Sequence, residues 1–269
     1  MGEESTRVNE QLTSEWKSYE PLKRYLVDMG RKGEAGLMRL EDYPVWMSFN
    51  TSWHETLEDM RQESRKGLGI ETFALVGVSN SRDRVYLPKR PVRGRLGEVP
   101  SEVVAQELDK ARRSGEVGKV VGMVHSHSGG LARVPEMVGE GVVSLAGISL
   151  KGLNPLDFYA LISQQIFFAG LVEHSVNYFA FKSKESVPTP SGLDQWEFGN
   201  YWFTKFGGKL VKVKGVSMLL SIDPRAGDLL AMGKAICAEH NLALYEGEPK
   251  RDLRRIYPES EKNKWVKFW

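Results

Sequence analysis

Cysteine is almost missing from this chain: Cys237 is alone in 269 residues. A disulfide framework within the chain is therefore excluded, as is a zinc finger built on paired cysteines. One thiol inside an apolar helical pattern suits a reducing, cytoplasmic setting, where it packs as a small apolar side chain. Long apolar runs are missing too. None approaches the ~20 residues that a membrane helix needs. The opening residues, MGEESTRVNEQLTSEW, are polar and do not read as a signal peptide. Charge of one sign is not in excess either: 37 basic and 35 acidic residues leave a formal net charge of +2. That balance gives no field for nucleic acid or for an anionic membrane. Histidine is scarce, at five residues, and two of the five, His125 and His127, stand one residue apart.

What is present is an ordinary globular composition, 41% hydrophobic and 27% charged. Strand and helix signals alternate along it, which reads as an α/β chain. Trp16, Tyr19, Leu22, Tyr25 and Leu26 recur at helical spacing and predict a helix over Trp16 to Met29. Residues 43–50 form a short strand signal, and Ser52 with Glu55 reads as a capping box that opens a helix running towards Gly67. Residues 70–79 and 84–87 read as two strands of a hairpin. A loop follows over 88–100, then a helix from Ser101 to the stop at Gly115. Residues 119–124 form an apolar strand that leads into His125. From Ser128 to Gly152 the chain has no clean period and reads as a long loop. Asn154-Pro155-Leu156-Asp157 is a helix start, with Asn as N-cap and Pro at N1. Ile166–Val172 and Val176–Phe181 predict two strands, and 183–195 reads as a linker. An aromatic cluster over 196–203, a strand at Lys209–Val213, a helix around Ala226–His240 and a strand at Leu242–Tyr245 complete the reading.

The histidine pair carries the chemistry. In a strand, side chains at i and i+2 share a face, so His125 and His127 project together where an apolar strand meets a Gly-rich loop. Two imidazoles at one place are a start for a zinc site, which needs a third protein ligand and an open position. His54, His174 and His240 are scattered along the chain. Carboxylates are the remaining candidates: Glu136, Glu140 and Asp157. Asp157 stands out because the first turn of a helix holds a carboxylate in a fixed orientation.

With Glu71-Thr72-Phe73-Ala74-Leu75-Val76-Gly77 as an early strand, His125-Ser126-His127 as the pair, and Asn154-Pro155-Leu156-Asp157 opening a helix, residues 43–185 resemble the JAMM (MPN+) metalloprotease domain. That family includes zinc deubiquitinases and bacterial relatives that cut ubiquitin-like or sulfur-carrier proteins. The resemblance implies a mixed sheet flanked by helices, an N-terminal helical extension over 1–42 and a C-terminal α/β extension over 186–269. It implies one Zn²⁺ per chain on His125, His127 and Asp157. Glu71 would hold the zinc water and act as general base, with Glu63 and Glu98 as competitors for that role. Residue 154 would support the oxyanion. The partner implied is a ubiquitin-like or sulfur-carrier-like protein substrate. The chain departs from the family pattern in three places. Asn154 replaces the family's serine, Ser128 replaces the usual proline after the second histidine, and the segment between His127 and Asp157 is longer. A non-catalytic MPN-type scaffold is the alternative, and Asn154 and the long segment are the features that favour it.

Overall fold

Phe168–Val172 (β6) and Asn177–Lys182 (β7) are buried at every position. Strands of that kind have cover on both faces of their sheet. A computed structural model shows the cover, and describes residues 15–66, 70–81, 83–88, 91–96, 101–127, 152–213, 216–221 and 228–259. Its further strands are β1 (Trp46–Met47), β2 (Ile70–Val78), β3 (Val85–Tyr86), β4 (Val92–Leu96), β5 (Lys119–Ser126), β8 (Gly208–Val213), β9 (Val216–Ser221), β10 (Leu242–Gly247) and β11 (Leu253–Tyr257). Its helices are α1 (Tyr19–Lys32), α2 (Thr51–Lys66), α3 (Ser101–Arg113), α4 (Pro155–Ser163), α5 (Gln195–Lys205) and α6 (Leu229–His240). The fold is mixed α+β.

Nine strands form one sheet in the order β1-β11-β10-β7-β6-β5-β2-β3, with β4 also paired to β2. All pairs are antiparallel except β5 with β6. A parallel pair needs a long crossover, and here the crossover contains α4. On one face, Leu22, Leu26 and Met29 of α1 and Trp53, Leu57 and Met60 of α2 pack on Val124, Phe168 and Phe179 of the sheet. On the other face, Phe158 and Leu161 of α4, Trp202 of α5 and Ile236 of α6 pack on Leu171, Ala180 and Leu244. The helical spacing in α1 therefore marks its buried side, as the sequence predicts. Cys237 is fully buried in the second cluster.

Four local features differ from the sequence reading. Within the expected loop over 88–100, Val92–Leu96 form β4, held as an antiparallel partner of β2. Helix α2 begins at Thr51, because the Asn50 side chain accepts from the Trp53 N–H at 3.0 Å. Asn50 caps the turn that Ser52 was expected to cap, and asparagine is among the strongest capping residues. Residues 183–187 are held in place rather than free: the Ser183 and Ser186 hydroxyls both donate to the Asn241 carbonyl, at 2.7 and 3.2 Å. Finally, β10 pairs with β7, and β11 pairs with β1. One sheet thus runs across the 185/186 boundary, and among the described residues only β8 and β9 form a separate two-stranded sheet.

Candidate metal centre

The site grows from the register of three strands. Ser126, between the two histidines, points away from them and is fully buried. Its hydroxyl accepts from the Thr72 N–H at 3.0 Å and meets the Thr72 hydroxyl at 2.8 Å. That bond pins β2 to β5, with Thr72 opposite Ser126 and Phe73 opposite His125. Directly opposed residues share a face, so continuing the register sets Glu71 beside His127. On the other side, parallel β6 aligns Leu171 with His125 and Val172 with Ser126. The same continuation sets Glu173 beside His127. A one-residue slip in either ladder would turn these carboxylates to the wrong face.

Helix α4 brings the third donor. Asn154 caps it: its Oδ1 accepts from the Leu156 N–H at 2.8 Å and the Asp157 N–H at 3.2 Å. Asp157 returns the contact, its Oδ2 accepting from the Asn154 N–H at 2.8 Å, which completes a capping box. Two backbone donors on Oδ1 fix the orientation of the amide. The Nδ2 end then faces the histidines, 3.4 Å from His127 Nε2. Asn154 is at once a cap and a donor aimed into the site.

His125 Nε2 and His127 Nε2 are 3.3 Å apart. Asp157 Oδ1 is 3.1 Å from the first, and Asp157 Oδ2 is 3.5 Å from the second. One donor atom from each of the three residues lies within 4.8 Å of the others, so the group could hold a metal ion. For bonds of about 2.0–2.1 Å in a tetrahedral site, donor atoms stand about 3.3 Å apart. The two imidazole nitrogens match that spacing, and the Asp157 carboxylate stands at comparable distances with a different oxygen towards each ring.

Electrostatics hold the group together in this arrangement. Burial by itself would push the Asp157 carboxyl up. The charges and hydrogen bonds of His125 and His127 outweigh it and keep that carboxyl well below the usual carboxylate range. Burial would likewise lower the pKa of His127, but the Asp157 contact, with the charges of Glu71 and Glu173, raises it to about 9. Glu71 therefore acts on the site, as its register requires. His125 Nδ1 is buried and has no hydrogen-bond partner among the described residues.

Glu63, one competitor for the role of Glu71, is held in surface ion pairs with Arg93 and Lys66. Glu98, Glu136 and Glu140 lie outside the described residues. His240 bonds the Val187 carbonyl through Nδ1 at 2.8 Å, and His174 meets Arg65 at 2.5 Å, so both are engaged elsewhere. His54 packs edge-on against Phe49. Glu173 is the residue that reading by motif missed. It is a single carboxylate in a turn, and only the pairing of β6 with β5 reveals its place. Next to the site, Phe73 and Leu75 form one wall of a cleft of about 420 Å³, whose other wall is the Lys110 side of α3. Among the described residues, no helix is long and apolar enough to cross a membrane. Comparison with protein-family models, with curated proteins and with solved structures finds no match to this chain.

Proposed function

We propose that this protein is a zinc-dependent peptidase or isopeptidase. The observation that carries the reading is the convergence of three donors: His125 Nε2 and His127 Nε2 are 3.3 Å apart, and the Asp157 carboxylate reaches both, Oδ1 at 3.1 Å from the first and Oδ2 at 3.5 Å from the second. Two imidazoles with one carboxylate are a donor set suited to zinc, and three ligands leave a position open for chemistry. Bound there, one Zn²⁺ per chain would polarise the scissile carbonyl and lower the pKa of water towards about 7.

The residues of the chain supply the rest. Glu71, on the same face as the histidines, takes the proton from the attacking water and passes it to the leaving amine. Each turnover thus returns Glu71 to its ionised state. Asn154 Nδ2 donates a hydrogen bond to the oxyanion that develops on the carbonyl. Asparagine can do this without giving up its cap, because its carbonyl and amino groups are separate atoms. The departure from serine is therefore compatible with catalysis, which supports an enzyme over a scaffold. The substrate class follows from the resemblance alone: a ubiquitin-like or sulfur-carrier-like protein cut near its C-terminal tail.

The test is cleavage of ubiquitin-like fusions carrying a C-terminal extension by the zinc-loaded full-length protein. Glu71→Gln is expected to abolish cleavage while the zinc stays bound and the fold intact. Equal cleavage by Glu71→Gln and the wild type would overturn the assignment of the base. Zinc binding with no cleavage of any such fusion would favour the scaffold.

A further inference from the structure

We propose that Glu173 is a positioning residue that orients the His127 ring for metal binding, an inference that rests on the zinc-site reading above. The parallel register of β6 with β5 carries Glu173 alongside His127. Its Oε1 accepts from the Gly152 N–H at 3.0 Å and stands 3.9 Å from His127 Nδ1. Nδ1 is the ring nitrogen turned away from the other donors; Nε2 is the one that meets His125 and Asp157. A neutral imidazole offers its Nε2 lone pair only when the proton is on Nδ1. A carboxylate on the Nδ1 side favours that tautomer and makes Nε2 a better ligand. At 3.9 Å the carboxylate is too far from Nδ1 for a hydrogen bond, so in this arrangement it acts on the ring through its own negative charge.

The placement of Glu173 is itself secured. Arg61 of α2 is 2% exposed. Its Nε donates to the Glu173 carbonyl at 2.8 Å, and its Nη2 donates to Asn177 Oδ1 at 2.7 Å. A buried guanidinium thus grips both ends of the turn between β6 and β7. The turn also closes on itself, with the Glu173 N–H donating to the Val176 carbonyl at 2.9 Å. Through Gly152, the same carboxylate holds the chain two residues before the Asn154 cap. Glu173 therefore touches both parts of the site, the end of β5 and the approach to α4. His125 has no counterpart, because its Nδ1 is buried without a partner among the described residues.

The experiment uses the full chain with Zn²⁺ and Co²⁺ as probes. Competition with a chromophoric chelator reads the affinity, and the visible Co²⁺ bands read the coordination. In Glu173→Gln the zinc affinity is expected to fall about 10- to 100-fold, with a change in the Co²⁺ bands. The metal-free thermal midpoint is expected to hold, since glutamine can still accept from Gly152. Unchanged affinity in Glu173→Gln would overturn the inference and leave the metal site standing. A fall in affinity with an equal loss of metal-free stability would mark the residue as a structural bond and also overturn it. A wild-type protein that binds neither metal would overturn this inference and the zinc reading together. If Glu173→Gln does not fold, proton–nitrogen correlation of the imidazoles in the zinc-loaded wild type decides. A His127 bound through Nε2 with a slowly exchanging Nδ1–H supports the role. Binding through Nδ1, or rapid exchange at that proton, refutes it.

Discussion

Asn154 and Asp157 hold each other across the first turn of α4. The Asn154 N–H donates to Asp157 Oδ2 at 2.8 Å, and Asn154 Oδ1 accepts from the Asp157 N–H at 3.2 Å. The atoms left over, Asp157 Oδ1 and Asn154 Nδ2, are turned to His125 and His127. A helix start and part of a group that could hold a metal ion are thus built from the same two residues.

Substitutions at Asn154 should therefore separate two losses. Asn154→Ala removes the cap, at a cost of about 1 kcal/mol, and removes the donor, at a cost of about 10²–10³ in kcat. Asn154→Ser keeps a capping oxygen but puts cap and donor on one atom. Its stability should stay near the wild type, with kcat between the two. Thermal melts and cleavage kinetics on the three proteins check the order.

Much of the site can be read from local sequence, and the reason is that its parts are local. The alternation in β5 puts His125 and His127 on one face, and Asn154-Pro155-Leu156-Asp157 is a helix start by composition alone. Glu173 could not be read that way. Its approach to His127 depends on β6 joining β5 in parallel, through a crossover whose register is set by packing on α4 and α5. The same holds for β10 and β11. Leu242–Tyr245 signals a strand, Leu253–Tyr257 in its charged surroundings does not, and nothing local tells either to extend the sheet past β7 and back to β1. At the start of α2, Ser52 and Glu55 fit a capping pattern as well as Asn50 does, and the helix starts at the earlier site.

The sheet centre supplies a test of packing. A side chain at Gly122 would bring its Cβ within 2.2 Å of the Phe168 ring. Gly122→Ala should destabilise the protein by about 1–3 kcal/mol, the usual range for overpacking. Trimming the ring with Phe168→Leu opens the space, so the double variant should lose less than the sum of the single losses. Urea unfolding of the four proteins measures the coupling.

Alkaline pH should loosen the contact between α1 and the sheet. Tyr25 and Tyr43 share a 2.6 Å hydroxyl contact, and Tyr245 donates to the Pro44 carbonyl at 2.6 Å. Burial raises the Tyr25 phenol to about 12 and holds Tyr43 and Tyr245 well above their ordinary value. A folded-state pKa that is raised gives stability that is complete below the unfolded value of about 10 and is lost as pH climbs through the folded value. Unfolding midpoints should thus be flat up to pH about 10 and fall steeply towards pH about 12. Tyr25→Phe should show a shallower fall over that window. A midpoint insensitive to pH there would contradict the burial of these phenols.

The most direct measurement is zinc stoichiometry and affinity on the purified full-length protein, stripped of metal and titrated back. One equivalent bound tightly by the wild type is expected, with binding lost in His127→Ala and in Asp157→Asn while both stay folded. A folded wild type that takes up no zinc, or variants that bind it as well as the wild type does, would contradict a metal centre at His125, His127 and Asp157.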